Sequence, residues 1–151
     1  MTRLIASWFG SGLILGRARG SDAGSGTVAS LFAFPVAIWL GSFGILAQIG
    51  AAAAVTALAI WSVSNLVADE GDAAWIVIDE AAGTFIATIS LGWGPGLVAL
   101  VIFRVADIFK AGFPGVARAD RVPGATGVVA DDVIAAFYGL AAGLITKNLF
   151  F

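Results

Sequence analysis

Residues 81–103 read AAGTFIATISLGWGPGLVALVIF, and how this run folds decides the architecture. It carries no charge, and its length suits one membrane crossing at roughly 20 residues per span. At its middle stands Gly92-Trp93-Gly94-Pro95-Gly96, a cluster that breaks helices because glycine loosens the backbone and proline removes an amide donor. Two topologies follow. If the run crosses straight through, Asp79-Glu80 before it and the Arg104–Lys110 cluster after it end on opposite membrane faces. If it turns back at the break, two short helices form a re-entrant hairpin and the acidic clusters share one face. Carboxylates beside membrane-grade sequence are expensive to desolvate and gain most by gathering around a metal or cationic partner. The hairpin is therefore the expected topology, since irregular backbone is tolerated at depth where protein covers it.

Working outward, no charged residue lies between Asp22 and Asp69. The uncharged stretch 27–68 is long enough for two spanning helices, with Gly41-Ser42-Phe43-Gly44 as the turn. Ala51–Ala54 supply small residues for close helix contact in the second of them. A polar acidic segment follows: Asp69, Glu70, Gly71, Asp72. The last helix is expected from about Asp131 to Lys147, with Asp131-Asp132 at its N-terminus, where carboxylates suit the helix dipole. Residues 10–26, rich in Gly and Ser, read as a loop. That loop is either a flexible linker or a segment whose amides approach a phosphate. Met1–Phe9 has one Arg and only a short apolar run, so it does not read as a cleaved signal peptide.

Composition agrees with this pattern. The chain has 151 residues, 60% hydrophobic and 12% charged, with a mean hydropathy of +0.99. A soluble domain is nearer half apolar and a quarter charged, so lipid must cover what one small core cannot. The expected fold is all-α: a single compact multihelical integral membrane domain over 1–151, with helical hairpins and a polar site at one membrane face. A net charge of −2 argues against nucleic acid, which needs a basic footprint. There is no Cys and no His. That excludes disulfides, a thiolate nucleophile, a phosphohistidine route and the usual zinc sites. Any metal must accept oxygen ligands alone, which favours Mg²⁺ or a similar hard ion.

The charged residues that remain are clustered. Arg104, Asp107 and Lys110 have i, i+3, i+6 spacing and would lie near one helix face. They are either a salt-bridged stripe or the point where a buried helix meets a polar ligand. The basic residues Arg3, Arg17, Arg19, Arg104, Lys110, Arg118 and Arg121 serve either as positive-inside anchors or, in the middle group, as phosphate or anionic-lipid ligands. Asp79-Glu80 and Asp131-Asp132 are either helix N-caps or metal ligands. Neighbouring residues on a helix point about 100° apart, so one of each pair is expected to ligate and the other to orient water or support the ligand.

In chain order these residues carry a family resemblance. The sequence contains Phe9-Gly10-Ser11-Gly12-Leu13, Gly26-Thr27-Val28-Ala29-Ser30-Leu31 and Ile76-Val77-Ile78-Asp79-Glu80. Phe103-Arg104-x-x-Asp107-x-x-Lys110 follows, then Asp120-Arg121, Gly124, Gly127 and Asp131-Asp132. Taken together they resemble the phosphatidylglycerophosphatase A family over nearly the whole chain. Ser25 stands where that pattern has Pro, Ala29 where it has Gly, Ala111-Gly112-Phe113 where it has prolines, and a His near the glycines is absent. The resemblance implies a Mg²⁺-dependent phosphatase of the bacterial inner membrane, converting phosphatidylglycerophosphate to phosphatidylglycerol and phosphate.

The expected site follows from both readings. Asp79, Glu80, Asp131 and Asp132 are the catalytic Mg²⁺ ligands, with Asp107 a further ligand or support. Arg104 and Lys110 hold the phosphomonoester. Thr27, Ser11, Arg121 and the amides of Gly10–Gly12 complete the anion cradle. Glu80 is a candidate base, and both direct water attack and a phospho-aspartyl intermediate stay open. The active site is expected at the cytoplasmic face, where most Lys and Arg lie with the acids. Two alternatives from other classes are a small divalent-cation transporter and a membrane alcohol phosphotransferase. The first leaves Arg104 and Lys110 unexplained, and the second lacks its Asp-Gly-x-x-Ala-Arg signature.

Overall fold

A computed structural model describes residues 1–19, 24–70 and 73–151. Of the segments read above, Gly20, Ser21, Asp22, Gly71 and Asp72 lie outside the described residues. The described chain is helical throughout, with no strand. In order the helices are α1 (Thr2–Ala6), α2 (Ile14–Arg19), α3 (Ser25–Leu40), α4 (Ile45–Ser64), α5 (Val67–Glu70), α6 (Ile78–Ala87), α7 (Trp93–Ile108), α8 (Val116–Ala119) and α9 (Ala125–Phe150).

Among the described residues, three segments are long and apolar enough to cross a membrane: Ser25–Phe43, Ile45–Ser64 and Ala125–Phe150. At 1.5 Å per residue the shortest, of 19 residues, is about 28 Å long and matches a hydrocarbon core of about 30 Å. Their outer faces are apolar and uncovered. Leu31, Phe32 and Trp39 on α3, and Leu46, Leu58 and Trp61 on α4, are all exposed. Such a belt suits lipid. The turn at Gly41–Gly44 falls where the sequence places it: a short 3₁₀ turn ends at Gly44, whose φ of 97° favours glycine. On α4 the contact strip is Ala52, Val55 and Ala59, while Ala53 and Ala54 face outward.

The decisive run folds back. α6 has 10 residues and α7 has 16, so the hairpin arms are unequal and α6, at about 15 Å, is too short to span. The break itself lies earlier than Gly92–Gly96. The turn is made by Thr88–Leu91, with Ser90 at φ 64°. Trp93-Gly94-Pro95-Gly96 instead opens α7 behind the N-cap Gly92, since proline costs nothing in a first turn whose amides lack helical partners.

The tip of this hairpin is covered by protein. Gln48 of α4, buried, accepts a hydrogen bond from the Ser90 amide at 2.8 Å. Its own Nε2 donates to the Ala37 and Thr88 carbonyls. Lys147 near the end of α9 donates to the Ser90 carbonyl at 2.7 Å. The Ser90 amide and carbonyl and the Thr88 carbonyl at the turn thus have protein partners.

Within the bundle α6 is buried almost all round, between α4, α3 and α9. Small residues permit this. A Cβ on Gly83 would strike the ring of fully buried Phe103, and one on Gly139 would reach the Ala99 carbonyl where α7 lies along α9. Two other sequence expectations change. Residues 11–13 form a 3₁₀ turn that leads into α2, so the loop reading of 10–26 does not hold there. α9 begins at Ala125, not Asp131, because Gly124 is its N-cap.

Candidate active site

The hairpin and α9 bring one set of polar residues to a single pocket. It is lined by Asp79 and Glu80 from the start of α6, Arg104 and Asp107 from the end of α7, Lys110 and Asp120 from the segment after it, and Asp131 and Asp132 from α9. Gly24–Thr27 at the N-terminus of α3 close one side. The pocket encloses about 530 Å³.

Asp79 and Glu80 sit in the first turn of α6, where the helix dipole favours negative charge. Neither caps the helix; the N-cap position is Val77 and no side chain bonds there. Asp131 and Asp132 are the seventh and eighth residues of α9 and do not cap it either. The capping alternative is therefore not realised for either pair. Both members of each pair contribute an oxygen to one acidic group. One carboxylate oxygen from each of Asp79, Glu80 and Asp132 lies within 4.8 Å of the others, and the same holds for Asp107, Asp131 and Asp132.

The cations are interleaved. Arg104 Nη1 lies 2.8 Å from Asp107 Oδ2 and 3.9 Å from Glu80 Oε1. Its Nε and Nη1 make no hydrogen bond of good geometry among the described residues. Lys110 is not the third member of a helical stripe, because α7 ends at Ile108. Leaving the helix lets its Nζ bridge Asp120 Oδ1 and Asp131 Oδ2, both at 2.5 Å. Burial alone would lower its pKa, but the two carboxylates outweigh burial and hold it above the ordinary lysine value. At Glu80, burial pushes the carboxyl up, beyond what the Asp79 hydrogen bond and the Arg104 charge offset.

Some donors the sequence proposed are elsewhere. Ser11 is buried, but its hydroxyl donates to the Ser7 carbonyl, and with Gly10 it lines a separate apolar recess beside Phe32 and Val36. Arg121 is exposed in the turn before α9 and does not line the pocket. Thr27 does line it. The sequence reading missed Ser25, Gly26 and Asp120 as pocket residues. The Ser25 hydroxyl donates to the Ala74 carbonyl, tying the α3 N-terminus to the strand of chain that leads into α6. A Cβ on Gly26 would collide with the Glu80 carboxylate and crowd Arg104. Asp120 could have been found from its place in the Asp-Arg motif.

An oxygen-only cluster of acids that could bind a metal ion, beside two cations in an apolar helical bundle, defines the class: a helical protein of membrane type with one polar pocket. The chain belongs to the phosphatidylglycerophosphatase A family, whose model matches residues 4–147. That family carries phosphatidylglycerophosphate phosphatase activity in general. No curated protein and no solved structure shows a significant match.

Proposed function

We propose that this chain removes the terminal phosphate of phosphatidylglycerophosphate, giving phosphatidylglycerol and inorganic phosphate, with Mg²⁺ held in the acidic pocket. The observation that carries the reading is the convergence of Asp79, Glu80, Asp107, Asp131 and Asp132 with Arg104 and Lys110 in one cavity. The donor set fits a hard cation. Glu80 Oε2, Asp131 Oδ1 and Asp132 Oδ1 are buried without a hydrogen-bond partner among the described residues, and a cation is what such oxygens would satisfy. Bound Mg²⁺ would supply Lewis-acid polarisation of the phosphoryl group and a lowered pKa for an attacking water.

The chain's own groups do the rest. Arg104, ion-paired with Asp107 but with its Nε free of any hydrogen bond among the described residues, and Lys110, fixed as a cation by Asp120 and Asp131, would bind the phosphoryl oxygens and neutralise charge as the transition state forms. The first-turn amides at Ser25–Thr27, which no helical carbonyl takes, would take over the anion-cradle role expected of Gly10–Gly12. Glu80, at the start of α6 in the pocket, is the candidate to accept the proton of the attacking water. The glycerol backbone would sit at the pocket mouth with acyl chains along the apolar faces of the bundle.

We place the chain in the bacterial inner membrane with the pocket at the cytoplasmic face. Arg104, Lys110, Arg118 and Arg121 support this, since they lie at the pocket end of the helices while Lys147 lies at the hairpin-tip end. The test is phosphate release from detergent-dispersed phosphatidylglycerophosphate by the purified chain. Release by wild type and its loss in Asp132→Asn support the reading; equal release by both contradicts it.

A further inference from the structure

The pocket's acids form two potential cation sites. Asp79, Glu80 and Asp132 make one triad, and Asp107, Asp131 and Asp132 make the other. The triads draw on α6, α7 and α9 and share only Asp132. That residue is 3% exposed, and Asp131 is 4% exposed.

A second observation stands apart from the clustering. Each triad keeps buried carboxylate oxygens that no group among the described residues hydrogen-bonds: Glu80 Oε2 and Asp132 Oδ1 in the first, Asp131 Oδ1 and Asp132 Oδ1 in the second. The chain's own cations do not meet this need. Lys110 takes Asp131 through the other oxygen, Oδ2, and Arg104 takes Asp107. Polar atoms buried in this way are costly unless a ligand satisfies them.

Charge points the same way. Among the described residues, six carboxylates and two cations line the pocket, which leaves four formal negative charges from them. A phosphomonoester carries about −1.5 to −2 near pH 7. One divalent cation would leave a doubly negative pocket that repels it. Two would leave a neutral pocket before the ester enters.

We propose, resting on the phosphatase reading above, that the pocket takes a pair of divalent cations. Asp79, Glu80 and Asp132 hold one, Asp107, Asp131 and Asp132 hold the other, and Asp132 is their common ligand. In general, paired ions about 3.5–4 Å apart clamp both the attacking and the leaving oxygen of an in-line displacement. The assignment makes the acids unequal. Loss of Asp79 or Asp107 removes one site, whereas loss of Asp132 damages both.

The test is Mn²⁺ titration of the full chain in detergent, read by electron paramagnetic resonance. Wild type is expected to bind two Mn²⁺ per chain with a spin-coupled spectrum. Asp79→Asn and Asp107→Asn should each retain one uncoupled ion. Asp132→Asn should lose the coupled signal, and Asp132→Glu, which keeps the carboxylate, should recover it at least in part. Thermal melting of each variant separates loss of ligand from loss of fold. Saturation of wild type at one isolated ion, or no binding, overturns the pair, as does a coupled pair in Asp132→Asn. Phosphate release measured on the same samples keeps the two readings apart. An active chain with one ion overturns the pair alone, whereas a coupled pair in a chain that releases no phosphate upholds the pair and overturns the phosphatase reading.

Discussion

Glu80 and Arg104 flank the two ends of the apolar run 81–103, yet Arg104 Nη1 lies 3.9 Å from Glu80 Oε1. A straight span would hold these residues about 30 Å apart across the hydrocarbon. Their proximity is the geometric statement of the hairpin, and it has a topological consequence. The chain contains no cysteine, so single cysteines report cleanly. Ala74→Cys and Ile108→Cys, both at exposed pocket-lining positions, are expected to react with a membrane-impermeant maleimide from the same side of sealed vesicles. Labelling from opposite sides would show that the run crosses.

Gly26 makes a second prediction. Its hydrogen occupies space that a methyl group would share with the Glu80 carboxylate and the Arg104 guanidinium. Gly26→Ala should displace both groups and lower kcat by at least about 100-fold, the cost typical of misplacing catalytic groups by around 1 Å. Because helix propensity favours Ala over Gly by about 1 kcal/mol, the melting temperature should fall little. A steady-state assay beside a thermal melt checks this.

Lys110 holds its proton more tightly in the folded chain than in the unfolded one. Its pairing therefore stabilises the fold fully below the unfolded lysine value of about 10.4 and loses that contribution only as pH rises through the higher folded value. No basic limb from Lys110 should appear in the pH–rate profile below about pH 10. Lys110→Met should raise KM for the lipid substrate and also destabilise the chain, because Asp131 and Asp120 lose their partner. Lys110→Arg should restore part of both. An unchanged KM in Lys110→Met would remove this residue from phosphate binding.

The hairpin tip gives a prediction about stability alone. Gln48→Leu removes the acceptor of the Ser90 amide and the donor to the Ala37 and Thr88 carbonyls. Leaving such groups buried and unpaired costs about 1–3 kcal/mol each. The variant should melt several degrees lower in detergent, while kcat of the remaining folded protein stays near wild type. Unaltered melting would mean that the tip does not depend on Gln48.

How much of this was legible in the sequence depends on what kind of signal each residue left. Absence of charge marked the first two spanning segments, and glycine marked the Gly41–Gly44 turn between them, whereas the third span carries Asp131, Asp132 and Lys147 and began earlier than its charges suggested. The fold-back of residues 81–103 was legible from the need of Asp79-Glu80 for partners. The turn itself was misplaced, because proline tolerates a helix's first turn as readily as a break, and Ser90 at positive φ carries no sequence signature. Asp79, Glu80, Arg104, Asp107, Lys110, Asp131, Asp132 and Thr27 all reach one pocket. Ser11 does not, because its hydroxyl is taken locally by Ser7, and Arg121 does not, because the turn before α9 carries it outward. Gly26 and Ser25 escaped notice because their contributions are space and a single backbone anchor, neither of which has a chemical label. The helical turns at 11–19 were hidden by glycine and serine content that usually marks loops.

The central claim, a metal-assisted phosphomonoesterase built from oxygen ligands, is tested most directly by the initial rate of phosphate release from phosphatidylglycerophosphate. The rate would be measured for the purified chain as prepared, after removal of divalent ions with EDTA, and after restoring Mg²⁺. The account predicts that release stops on chelation, returns with Mg²⁺, and stays absent in Asp132→Asn under all three conditions. Release that persists at the full rate after chelation, or in Asp132→Asn, would contradict it.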